Sequence, residues 1–447
     1  MKVPLPPPSE AFVFSTLEPS RVRKIFSNSS QLIEGKYLPW DELRHRTPPD
    51  DLTSEEWWAA IRMARSSQSK QLPLLDKNGN PFVLTTPEPV LIDLHHIDRD
   101  AAGEIGTFAE IDVPAYRERV VLHSLIEEAI TSSQLEGAAT TRKVAESMLR
   151  EKRKPRDRSE RMIFNNYAVM ETIRDLREQP LTPERILDLH RLLTEGTLDD
   201  PADVGSLRRS DDVHVADNHD GTILHQPPPF TELPERLARL CAFANAKEGS
   251  SPFVHPVLRA ILLHFMIGYD HPFADGNGRT ARALFYWSMA RSGYWLMEFL
   301  SISHFLKRAP AQYGRAYLHT ETDNNDTTYF LVHQLSVIRK SLAALHEYLV
   351  QTAHAQKSTS RLLAAAPSLR NKLNHRQIAL LTHALKHADE TYRIDVHQHT
   401  HKVVYQTART DLLGLADLGL LQMSNSKRPL LFLAPPDLQE RIERLNN

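Results

Sequence analysis

The 447-residue chain has a single cysteine, Cys241. One thiol cannot close an intramolecular disulfide, so nothing here points to an oxidising compartment, and Cys241 in the helical run LPERLARLCAFAN reads as a core thiol. A surplus of one charge is also missing: 54 Lys and Arg stand against 56 Asp and Glu, a net charge of −2. Bulk electrostatics therefore favour neither nucleic acid nor an anionic membrane, and such a partner has to come from a local patch. Long hydrophobic runs are absent too. The most apolar stretch, VLRAILLHFMIGYD, is broken by Arg259 and His264, and the amino-terminal MKVPLPPPSEAFVF has no continuous apolar segment. The expectation is a cytoplasmic protein with no membrane partner. Glycine is scarce, 16 in all, so where glycines cluster is informative.

What is present is mostly helical periodicity, on a length that suits two to four domains. Residues 1–115 read as a small mixed lobe. It holds a helix in TSEEWWAAIRMARS, capped at Thr53 or Ser54, and a hairpin in QLPLLDKNGNPFVLTT. DKNG resembles the start of a calcium loop, but its glycine is in the fourth position and Pro87 stands where the closing glutamate belongs, so a turn without metal is expected. From Tyr116, YRERVVLHSLIEEAITSSQLEG repeats apolar or small residues at four-residue spacing (Val121, Leu125, Ala129, Ser133), with Gly137 placed to end the helix. The basic run that follows, in TTRKVAESMLREKRKPRDRSER, reads as a solvated connector. Helices follow in SERMIFNNYAVMETIRDL, TPERILDLHRLLTEGT and ELPERLARLCAFAN. Between the last two, Val213 and Val215 alternate with polar residues and DNHDG supplies turn chemistry, which predicts a short hairpin.

Two of the scarce glycines flank Asn277 in YDHPFADGNGRTARALFYW, at a helix-loop-helix junction. Gly276 and Gly278 permit close approach of a ligand to the backbone, and the amides opening the next helix favour an anion. Arg279 and Arg282, three apart, share a helix face and offer two guanidinium forks to phosphate oxygens. Asp275 can hold magnesium together with those oxygens. His271 is a base for an incoming hydroxyl, and Phe273 anchors the loop. The combination is a phosphoryl or nucleotidyl transfer site.

HPFADGNGRTAR resembles the signature of the Fic-domain enzymes at every defined position, and the resemblance extends over roughly 116–350, through NNYAVM, LHRLLTEG, GSLRR, HPVLRA and YGRAYLHTETDNNDTTYF. It implies a mainly α protein: a Fic-type helical core with a β-hairpin flap over Asp211 to Leu224 that docks the target segment by strand addition. It implies transfer of AMP from MgATP to a Ser, Thr or Tyr hydroxyl of a target protein or of the chain itself, with release of pyrophosphate. In that reading His271 is the base, Asp275 the Mg2+ ligand, Gly276, Asn277 and Gly278 the phosphate cradle, and Arg279 and Arg282 the clamps. The helix over 116–137 resembles the family's inhibitory segment, matched by Ser132, Glu136 and Gly137, and implies that Glu136 pairs with Arg282 and spoils the pose of ATP.

Residues 365–447 are similar to a winged helix-turn-helix, with VVYQTARTDLLGLADLGLL in the recognition position and a hairpin across SNSKRP. Lys402, Arg409, Lys427 and Arg428 are available to phosphates there, so DNA and protein both stand as partners, as does a second copy in a homodimer. His397, His399 and His401 would share one face of a strand, but no cysteine or nearby carboxylate completes a metal site, and a polar segment is expected. Two other functions remain open beside AMP transfer: a DNA-binding regulator with a nucleotide-sensing Fic body, and an AMP-removing enzyme in which Glu136 orients a water.

Overall fold

Local caps and turns fix the elements as much as apolar periodicity does. In this computed structural model, residues 2–9, 13, 19–102, 114–151, 153–217, 220–247, 249–364, 369, 372–386, 391–424 and 430–444 are described. The helices are α1 (Pro19–Ser27), α2 (Trp40–Leu43), α3 (Ser54–Ser66), α4 (Glu88–Ala101), α5 (Pro114–Leu135), α6 (Arg142–Arg150), α7 (Arg158–Leu176), α8 (Pro183–Thr194) and α9 (Leu233–Ala244). They continue with α10 (Pro256–Asp270), α11 (Asn277–Arg291), α12 (Ile302–Arg308), α13 (Pro310–Thr322), α14 (Thr328–Ala364), α15 (His375–Lys386), α16 (Ile394–Thr400), α17 (Tyr405–Asp417) and α18 (Leu438–Arg444). Seven short strands make three small sheets: β1 (Lys70–Leu75) with β2 (Pro81–Leu84), β3 (Val215–Ala216) with β4 (Ile223–His225), and β5 (Thr391–Arg393), β7 (Leu431–Leu433), β6 (Gln422–Met423) in that order. The protein is mainly α.

Packing divides the chain into two units: residues 1–103, 127–139 and 156–341, and residues 104–126, 140–155 and 342–447. In the first, α10 and α11 form the central pair, with α7, α8 and α9 laid against them. Helix α10 is apolar nearly all round, and its residues from Val257 to Ile267 are almost all buried, as a central helix requires. Thr53 caps α3 through a reciprocal box with Glu56. The β1–β2 hairpin closes on Asp76, whose Oδ1 accepts the amides of Asn78 at 2.8 Å and Asn80 at 2.7 Å, so the DKNG segment is an Asx turn. Arg236 of α9 then ties that hairpin to the base of α10. It donates to the carbonyls of Leu75 at 2.5 Å and Asp76 at 3.1 Å and to Asp270 Oδ1 at 2.8 Å.

The second unit has its own core of Leu380, Leu381, Ile394, Ala408, Leu412, Leu415 and Phe432. Its element order is helix, strand, two helices and two strands. The strand alternative for VHQHTH is corrected: these residues form α16, which puts His397 inward against Asp411 Oδ2 at 3.1 Å and His399 against its own helix, at 2.6 Å from the Asp395 carbonyl. Among the described residues no group of three metal-ligating side chains occurs, and no helix is long and apolar enough to cross a membrane. Lys427 and Arg428 lie outside the described residues.

Candidate active site

Helix α10 ends at Asp270, and its C-cap is His271, at φ 44° and ψ 56°. That left-handed turn throws the chain out of α10 into the loop and turns the His271 ring so that Nδ1 lies 3.2 Å from the Gly268 carbonyl. A carbonyl only accepts, so Nδ1 carries the proton and Nε2 the lone pair. Burial holds the ring below the ordinary histidine value, and its bond to Gly268 opposes this. At neutral pH His271 is therefore a neutral base.

The loop is tied from within and from α8. Asn277 accepts the Phe273 amide at 3.0 Å and donates to the Phe273 carbonyl at 2.9 Å, which closes the loop into a ring. The Asn277 side chain is thus spent on loop shape, and its contribution to an anion is its backbone amide. His190 of α8 stacks on Phe273, centroids 3.8 Å apart with planes 5° from parallel, and donates from Nε2 to the Asp275 carbonyl at 2.9 Å. Its Nδ1 accepts the Gly205 amide at 3.1 Å, and burial pushes it down to about 4, so the ring stays neutral. Gly276 is required for two reasons: its φ is 84°, and a Cβ there would come within 2.8 Å of Thr194 Cγ2.

Helix α11 opens at Asn277, and its first intrahelical bond runs from the Thr280 amide to the Gly276 carbonyl at 2.9 Å. The amides of Asn277, Gly278 and Arg279 precede that bond and have no intrahelical acceptor. Arg279 is 1% exposed, with Nη1 on the Leu193 carbonyl at 3.1 Å while Nε and Nη2 make no hydrogen bond. Arg282 is equally buried, and its Nη1 is likewise unpaired. Buried guanidinium hydrogens without acceptors are costly, and a phosphate chain laid across the start of α11 would satisfy them. The cradle fits a polyphosphate.

An anion from the chain already stands there. Glu136, just past the end of α5, accepts from Arg282 Nη2 at 2.8 Å, while Arg282 Nε donates to Ser132 Oγ at 2.8 Å and Nη2 also to the Ser132 carbonyl at 3.1 Å. A Cβ on Gly278 would come within 2.1 Å of Glu136 Oε1, so the carboxylate fills the space above the first turn of α11. Gly137, at φ 92°, reverses the chain directly after it, and the Ala138 amide returns to the Ser133 carbonyl at 3.0 Å.

Asp275 is half exposed; its Oδ2 lies 3.7 Å from Arg279 Nη2 and 3.9 Å from Arg158 Nη2. A lone accessible carboxylate that leaves the other positions to phosphate oxygens and water suits magnesium. The hairpin expected as a flap is the β3–β4 pair, with Val215 opposite His225 and Ala216 opposite Ile223, so its second strand runs one residue beyond Leu224. His225 fastens its end, with Nε2 donating to the Tyr269 carbonyl at 2.7 Å and Nδ1 facing Glu321 Oε2 at 2.7 Å.

The structure thus brings together His271, Asp275, Gly276, Asn277, Gly278, Arg279, Arg282, Ser132, Glu136 and Gly137. Sequence reasoning missed His190, Arg208, Arg158 and His225. Three of them sit in stretches that drew notice, LHRLLTEG, GSLRR and the basic run leading into α7, but the partners of His190 and Arg208 include backbone atoms far along the chain.

Residues 180–289 match the Fic/DOC family, a span that runs from the start of α8 through the flap and loop into α11. The chain is 34% identical over 119 residues to a protein adenylyltransferase Fic of Drosophila ananassae, covering 27% of this chain and 22% of that one. It is 36% identical over 114 residues to the protein of the same name from Drosophila virilis, covering 26% and 21%. The chain thus spans about a fifth of the length of these curated relatives. Among solved structures, it is similar to a Fic family protein from Desulfovibrio desulfuricans G20 at a TM-score of 0.48 and 18% identity, covering 78% of this chain and 97% of that one.

Proposed function

We propose that this chain, which carries a Fic domain over residues 180–289, is a protein adenylyltransferase held inactive by its own Glu136. The single observation that carries the reading is the 2.8 Å pair between Glu136 and Arg282 beside the unpaired guanidinium hydrogens of Arg279 and Arg282.

In this reading the phosphates of ATP lie along the amides of Asn277, Gly278 and Arg279, with Arg279 and Arg282 on the outer phosphates. The target hydroxyl oxygen attacks the α-phosphorus while His271 Nε2 takes its proton. The bond from the α-phosphorus to the bridging oxygen breaks, and pyrophosphate leaves with the electron pair. Asp275 is the residue for magnesium, which when bound would draw charge from the phosphate oxygens. Glu136 opposes all of this on two counts: it takes an arginine donor from the outer phosphates, and it sets a negative charge where they must sit. The relatives named above as adenylyltransferases support AMP as the group transferred.

Pyrophosphate release from ATP and magnesium tests the reading. Removing a charge-assisted hydrogen bond of roughly 1.5–3 kcal/mol should let Glu136→Gly release pyrophosphate about 10- to 100-fold faster than wild type. Equal rates in the two proteins would remove the inhibitory role.

A further inference from the structure

We infer that Arg208 is a positioning residue that holds the target-docking flap in register with the base, so that docking and proton removal share one geometry. The inference rests on the transferase reading above. The Arg208 side chain is 2% exposed. On one side its Nε donates to the His271 carbonyl at 3.0 Å, and its backbone amide donates to the Pro272 carbonyl at 2.9 Å. On the other side Nη1 donates to the Ser210 carbonyl and to Asp211 Oδ1, both at 2.7 Å, and Nη2 to the Pro228 carbonyl. Asp211 Oδ1 in turn accepts the Phe230 amide at 2.7 Å. One planar fork therefore holds both roots of the flap, 210–211 and 228–230, against the residue that carries the base.

His271 needs that support. Its φ of 44° is a conformation that a side-chain-bearing residue keeps only where its surroundings impose it. Arg208 holds the carbonyls of His271 and of Pro272 and touches none of the reacting atoms. Lysine cannot replace it, because an ammonium is a point charge that lacks the divergent donors of a fork.

The test uses the full chain with Glu136 in place, comparing wild type with Arg208→Lys, Arg208→Ala and Asp211→Ala. Two readouts need neither target nor turnover: amide hydrogen exchange of the flap roots and of 267–274, and the pH titration of the His271 ring. The titratable and charged groups facing that ring include His225, Glu136 and Arg208. Arg208→Lys should speed exchange in both segments together by about tenfold or more while leaving α15 to α18 unchanged. It should also raise the His271 titration toward 6.5 even though the positive charge is kept. Arg208→Ala should do both more strongly. Asp211→Ala should loosen the flap roots alone and leave the His271 titration in place. Wild-type exchange and titration in Arg208→Lys and Asp211→Ala would overturn the inference, and so would a uniform rise in exchange across the first unit. Neither readout depends on AMP transfer, so a failed transferase reading would leave these results standing, and the reverse.

Discussion

In the proposed reading, Glu136 and a phosphate of ATP compete for the Arg282 guanidinium. Burial alone would lower its affinity for the proton, but Glu136, together with Tyr313 and Glu128, raises it. The balance at His271 is the opposite, with burial winning and the ring held below the ordinary histidine value of 6.5. A group lowered in this way is a working base above its own pKa, so the acidic limb of transfer against pH should lie below 6.5. A pH profile of the Glu136→Gly protein checks this, and a limb above 6.5 would contradict the burial. Truncation of the base, His271→Ala, should cost transfer at least about 100-fold while calorimetry shows ATP binding retained. That His271, Asp275, Gly276, Gly278, Arg279 and Arg282 come together was legible because they are contiguous, and the glycines at the junction answer a local requirement. His190 and Arg208 were not legible, because each acts on a backbone carbonyl 85 and 63 residues away. Glu136 was readable only through resemblance; a glutamate near a helix end has no chemistry of its own until Arg282 is placed against it.

At the scale of elements, two glycines in the junction of α10 and α11 leave space that a side chain would enter. They predict different outcomes. Gly276→Ala puts a Cβ 2.8 Å from Thr194 Cγ2 at a φ of 84°, so it should lower stability by roughly 1–3 kcal/mol in a denaturant titration. A Cβ on Gly278 meets only the ends of flexible side chains, at 2.1 Å for Glu136 Oε1 and 3.0 Å for Arg282 Nη1. Gly278→Ala should therefore fold with near-normal stability yet weaken ATP binding, even in the Glu136→Gly background, because the methyl stands in the phosphate path. The turns and caps at Thr53, Asp76 and Gly137 were legible in the sequence because each depends on a few adjacent atoms. The short segment with three histidines was not, since alternation at period two suits a strand while Ile394, His397 and His401 also share one face of a helix. The partner that decides is Asp411, which lies on another helix.

At the scale of the whole chain, charge is balanced at a net −2, and the strong electrostatics are local clusters. The second unit contains one such cluster. Asp411 is almost fully buried and accepts from Arg376 Nε at 2.6 Å, Asn374 Nδ2 at 2.7 Å and His397 Nε2 at 3.1 Å. Burial would raise its pKa, but the hydrogen bonds from His397, Arg376 and Asn374 hold it well below the usual carboxylate range. A depressed carboxylate contributes stability that is present above its unfolded pKa and lost as pH falls through the acid range. Asp411→Ala should destabilise this unit by about 3 kcal/mol at neutral pH and flatten its acid unfolding, as exchange of the α15 and α17 amides would report.

The central claim is that the His271 to Arg282 loop transfers AMP and that Glu136 prevents it. The most direct measurement incubates wild type, Glu136→Gly, and Glu136→Gly with His271→Ala in magnesium and ATP labelled at either the α- or the γ-phosphate, and follows label on protein. The account predicts α-label on protein with Glu136→Gly alone, little with wild type, none with the double variant, and no γ-label in any of them. Label from the γ-phosphate, or α-label that survives loss of His271, would contradict it.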